Sequence, residues 1–111
     1  MKRLLLTIGA CVCLSAHAGI FDGNVLYKHL SESSSSNVSW GFAHGYIAGV
    51  HDAGDGVTHC TPAKVNVSQL ADMVKNFMDS TPAVRHMPAD AIVNFVFIKA
   101  WPCDKKKGQS L

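Results

Sequence analysis

Charge is scarce in this chain and nearly cancels: 16% of its 111 residues are Asp, Glu, Lys or Arg, with 10 basic against 8 acidic side chains. A formal charge of +2 gives no electrostatic grip on nucleic acid, which needs clustered Lys and Arg against phosphate. Aromatic residues are also few, at 8%, yet 48% of the chain is hydrophobic, which excludes a disordered polypeptide. No apolar run approaches the ~20 residues that a helix needs to span a bilayer. Catalytic signatures are missing too: there is no Gly-x-Ser-x-Gly elbow, no His-Glu-x-x-His helix and no glycine-rich phosphate loop. Asp52, Asp55, Asp72, Asp79 and Asp90 could supply an acid–base pair, but no spacing selects two of them, and solvated helix faces account for them. The length suits one small domain and leaves no room for a second.

What is present begins with Lys2 and Arg3, an apolar stretch from Leu4 to Leu14, and Ala16-His17-Ala18 before Gly19. This order reads as a secretory signal peptide over residues 1–18, removed after Ala18. Ile8-Gly9-Ala10-Cys11 loosely resembles a lipobox, so lipidation at Cys11 is the alternative, although the apolar run before it is very short. Cleavage leaves acidic and basic side chains equal in number, so a partner must be recognised by shape and local contacts. Cys60 and Cys103 are then the remaining thiols, and in an oxidising compartment they are expected to pair. Closing a loop of roughly 44 residues stabilises a fold by about 4 kcal/mol in the chain-entropy model. The alternative is a catalytic or metal-binding thiol.

Four helices are predicted. Asp22 or Asn24 can cap a first helix over about residues 23–31, with Val25, Leu26 and Leu30 on its apolar face. Ser31 to Asn37 carries no apolar residue and reads as a flexible surface connection. From Val38 to Ala53, the residues Phe42, Tyr46, Ile47, Val50 and Ala53 recur at helical spacing, with Gly41, Gly45 and Gly49 four apart. Three glycines in one helix suggest that this face lies close against another backbone in a tight core, so Gly45→Leu is expected to unfold the protein. Gly54-Asp55-Gly56 ends the helix. Asn66 with Gln69 forms a capping box, and Val65 with Leu70 a hydrophobic staple, opening a third helix that stops near Ser80 before Pro82. Its buried stripe is Leu70, Val74, Phe77 and Met78. Pro88 suits a first helical position, and Ala91, Ile92, Phe95, Val96 and Ile98 continue an apolar pattern to Trp101, where Pro102 stops the helix beside Cys103. Residues 104–111 read as a solvated basic tail. The expected fold is all-α, a small single-domain bundle of about four helices closed by Cys60–Cys103.

His44 and His51 are seven apart and share a helix face, with Asp52, Asp55 and His59 following. That composition could ligate zinc or nickel, but no established metal signature has this spacing. Surface or core roles are the expectation, with no cofactor; a small metal-binding protein on His44, His51 and Asp52 is the alternative.

The run Gly45-Tyr46-Ile47-Ala48-Gly49-Val50-His51-Asp52-Ala53, then Cys60-Thr61-Pro62, then Val65-Asn66-Val67-Ser68-Gln69-Leu70-Ala71-Asp72, ending in Ala100-Trp101-Pro102-Cys103, resembles the Rap/Tai family. These are periplasmic immunity proteins that protect bacteria from type VI secretion peptidoglycan amidase effectors. Any one motif alone is weak; their order is specific. The resemblance implies a helical domain over residues 19–103, a Cys60–Cys103 disulfide and no enzymatic activity. It also implies an amidase effector as partner, and relatives can form homodimers. Many relatives carry a further cysteine pair where this chain has His29 or Leu30, and Ala43, so the first helix and the serine segment are expected to be looser here.

The expected role is therefore periplasmic inhibition by occlusion, with Gly45, Tyr46, Gly49 and Leu70 as scaffold. Asp52, Asp55, His59 and Lys64 are the expected contacts, as an exposed acidic loop that enters the amidase cleft. The rival is a non-enzymatic envelope interaction module of the same fold.

Overall fold

The structure, a computed structural model, describes residues 19–104. The leader expected over residues 1–18 and the tail from residue 105 onward lie outside the described residues. Four helices follow in order: α1 (Gly23–Glu32), α2 (Asn37–Gly54), α3 (Val67–Ser80) and α4 (Ala89–Ala100). A single 3-10 turn at Pro82–Val84, absent from the sequence expectation, joins α3 to α4. Isolated bridges at Asp22–Pro88 and Asp55–His59 are the β pairing found among the described residues, and no described helix is long and apolar enough to cross a membrane.

Each helix begins where its chemistry dictates. Asp22 resolves the choice of first cap, its Oδ1 accepting the Val25 N–H at 3.0 Å. Asn66 and Gln69 complete the reciprocal box, at 3.0 and 2.9 Å. Pro88 stands just before α4 rather than inside it. The starts of α1 and α4 are tied together by Gly23 N–H to Met87 O and Ala89 N–H to Phe21 O, at 2.8 and 2.9 Å.

The helices enclose one core: Leu26 and Leu30 of α1, Ala43 and Ile47 of α2, Leu70, Val74 and Met78 of α3, and Ile92, Val93, Val96 and Phe97 of α4. Helix α2 packs on each of the other three. The disulfide is present, with Cα atoms 4.9 Å apart, and the Cys60 N–H donates to the Trp101 carbonyl at 2.8 Å beside it. The end of α4 is thereby fastened to the loop between α2 and α3.

Two expectations need correction. A Cβ at Gly41, Gly45 or Gly49 would meet nothing within 4 Å, so these glycines face open space and no second backbone approaches them. The close approaches lie elsewhere. A Cβ at Gly23 would collide with Ile92 and come within 2.6 Å of the Arg85 carbonyl, and one at Gly54 would lie 2.6 Å from Thr58 Oγ1. The serine connection is also more ordered than expected, because its hydroxyls do the work of a cap. Ser36 Oγ accepts the Ser39 N–H at 3.2 Å, and Ser33 and Ser35 donate back to the Leu30 and Glu32 carbonyls. His29 donates to Ser39 Oγ, which donates to Glu32, and the His29 ring lies 4.2 Å from that of Phe42. This junction stands where the additional cysteine pair was expected to be missed.

Candidate functional site

Asp52 stands in the last turn of α2, and the loop that follows runs from Asp55 through the disulfide at Cys60 and past Lys64 to the start of α3. Gly56 takes a positive φ of 79°, and its N–H donates to the His59 carbonyl at 2.7 Å, folding the loop back on itself. Asp55 Oδ1 accepts the Thr61 N–H at 2.9 Å. That bond, followed by the nearby His51, holds the Asp55 carboxyl below its ordinary value. Lys64 adopts a left-handed backbone, φ 73°, that lysine rarely takes.

The four expected contact residues do not share one environment. Asp52 is 81% exposed along its side chain, and Asp55 and Lys64 are exposed as well. His59 is not available to a partner at all: it is fully buried, its ring 5.2 Å from Phe97 and 5.3 Å from His51. The apolar wall of Phe97 and the bare α2 terminus at Gly54 draw it inward, and this burial lowers its basicity. Gly54 makes the space for it, since an added Cβ would stand 2.9 Å from the imidazole.

The histidines also regroup. His44, expected to share a face with His51, is buried by stacking on Trp40 at 4.2 Å and donates Nδ1–H to the Trp40 carbonyl at 2.9 Å. Among the described residues it belongs to no ligand set. His51, Asp55 and His59 instead converge, each offering one ligand atom within 4.8 Å of the others. Asp52 lies beside this set, its Oδ1 accepting His51 Nδ1–H at 3.0 Å, which leaves His51 Nε2 to accept from the Thr61 hydroxyl at 2.8 Å. Sequence reasoning had these three among five candidate ligands but could not single them out, because the grouping depends on the reversal at Gly56, which returns residue 59 to the helix end.

The surface also carries two grooves. One, between α2 and α4, has a volume of roughly 250 Å³ and mixed lining from Val50, Gly54, Thr58, Asp90 and Asn94. The other, of roughly 260 Å³, is almost wholly apolar and is lined by Phe77, Val84, Met87, Ala91, Ile92 and Phe95. Phe95 at 48% and Met87 at 40%, which line it, and Ile98 at 41% are exposed, although Phe95 and Ile98 continue the apolar pattern of α4. Of the expected scaffold, Leu70 is in the core and Tyr46 is half-buried, edge-on to Phe21 at 6.1 Å; Gly45 and Gly49 pack against nothing.

No curated protein matches the chain significantly. A family model described as Rap1a immunity proteins matches residues 22–103, from the cap of α1 to the second disulfide cysteine. Because that match takes in every helix and both ends of the covalent tie, the chain belongs to the Rap1a immunity protein family.

Proposed function

We propose that this protein works in the periplasm, where it binds a type VI secretion peptidoglycan amidase effector and blocks its cleft without chemistry of its own. The observation that carries the reading is the immunity-family match across residues 22–103. Physical features support a binding role. The end of α2 and the loop after it, pinned midway by the disulfide at Cys60, present Asp52, Asp55 and Lys64 to solvent on a rigid base, so little order has to be gained on binding. The strained backbone at Lys64 fits a side chain retained for contact rather than for stability. His59 supports the loop from beneath.

Pull-down from periplasmic extract with the exported, oxidised chain tests this directly. Recovery of an amidase whose peptidoglycan hydrolysis is suppressed supports the reading; recovery of other envelope proteins alone moves it to the interaction-module rival. Alanine at Asp52, Asp55 and Lys64 together is expected to weaken amidase binding at least tenfold. Full retention with loss in Phe95→Ser would transfer the contact to the apolar groove.

A further inference from the structure

We infer that His51, Asp55 and His59 form a binding site for a divalent transition-metal ion, with zinc the best-matched probe. The site goes beyond the immunity reading and differs from the sequence alternative, which used His44 and Asp52 as ligands.

The argument rests on where the imidazole protons sit. Asp52 Oδ1 can only accept, so His51 carries its proton on Nδ1 and presents a lone pair at Nε2, now shared with the Thr61 hydroxyl. The Thr58 hydroxyl donates to the Gly54 carbonyl at 3.3 Å, so its oxygen accepts Nδ1–H of His59 at 3.2 Å. His59 Nε2 is thus also a bare lone pair, buried and without any hydrogen-bond partner. Buried polar atoms in native proteins are nearly always satisfied, and an orphan on a ring packed against a second imidazole and grouped with a carboxylate suits a bound cation. In both rings Nδ1–H is anchored by an outer acceptor, as in metal-bound histidines, which leaves Nε2 as the nitrogen that would ligate.

The donor set of two imidazoles and one carboxylate suits zinc, which takes nitrogen and oxygen ligands and leaves a fourth position to water. Ligand atoms around a tetrahedral zinc lie about 3.3 Å apart, closer than the 4.8 Å limit here. The Asp55 side chain is exposed and can rotate to close that gap. The ion would join the α2 terminus to the far side of the Gly56 reversal.

The test is zinc binding to the full exported chain with its disulfide intact, followed by calorimetry and thermal melting without effector. One equivalent is expected to bind, raising Tm by roughly 10 °C or more at a hundredfold excess over Kd. Asp55→Asn, at an exposed position, should weaken binding more than about tenfold, and Asp52→Ala, which removes only the outer acceptor of His51 Nδ1–H, about 10- to 100-fold. His86→Ala, exposed and outside the set, should bind as the parent does. Failure to bind a stoichiometric ion, or undiminished affinity in a folded Asp55→Asn protein, overturns the site and leaves the effector reading untouched.

Discussion

Substituting two glycines of the same helix should have opposite effects. Gly45 faces open space in mid-helix, so Gly45→Ala is expected to stabilise the protein by about 0.5–1 kcal/mol in chemical denaturation, by reducing backbone entropy in the unfolded chain. Gly54→Ala would press on Thr58 and His59 and should destabilise it by about 1–3 kcal/mol. Spacing alone could not separate them: residues four apart share a face, but spacing does not say whether that face meets a neighbour or water. Here the inward side of α2 is taken by Ser39, Ala43, His44 and Ile47, which leaves the glycine face outside. Burial of His59 was hidden for a similar reason, since a histidine in a polar loop gives no sequence sign that it turns inward. At Lys64 the backbone angle makes a further prediction: Lys64→Gly should stabilise the fold by about 1 kcal/mol, through relief of the left-handed conformation, while weakening effector binding.

The helices themselves were legible because their signals are local. Capping side chains, a glycine exit and prolines at the boundaries fixed α1 to α4 within about a residue or two, the usual spread of helix ends. The ties between helices were not, since they join residues far apart in sequence. Tyr27 of α1 donates its hydroxyl to Asp79 of α3 at 2.6 Å, Lys75 bonds the other carboxylate oxygen at 2.9 Å, and Arg85 stacks 3.7 Å above the Tyr27 ring while donating to the Met78 carbonyl. The Tyr27 bond, then the Lys75 bond, holds the Asp79 carboxyl below its ordinary value. The unfolded chain therefore takes up that proton at higher pH than the folded one. Asp79's stabilisation is complete above the ordinary carboxyl value and is lost as pH falls through the lowered one. Urea melts from about pH 5 to about pH 2.5 should show a shallower loss of stability in Asp79→Asn than in the parent. The serine connection supplies an independent check, because Ser36→Ala removes the cap of α2 and should cost about 1 kcal/mol.

For the molecule as a whole, the four-helix architecture and the disulfide were readable from hydrophobic period and the two remaining cysteines, whereas the exposed aromatic groove was not. Phe95 and Ile98 fit the apolar period of α4 as well as Val96 and Phe97 do, and only the placement of α3 and the 3-10 turn decides which stay uncovered. Reducing the disulfide should remove about 4 kcal/mol, measurable as a lower urea midpoint with and without thiol. The same bond also divides the chain topologically. Residues 60–103 form a covalent ring, and α1 and α2 hang from it as a single arm. A protease cut within the ring, at the exposed Pro82–Ala83 turn for example, leaves one piece until a reductant opens it. A cut at Ser34–Ser35 detaches α1 from the covalent whole at once. Proteolysis would therefore spare the half of the molecule that contains α3 and α4 and test it at the arm.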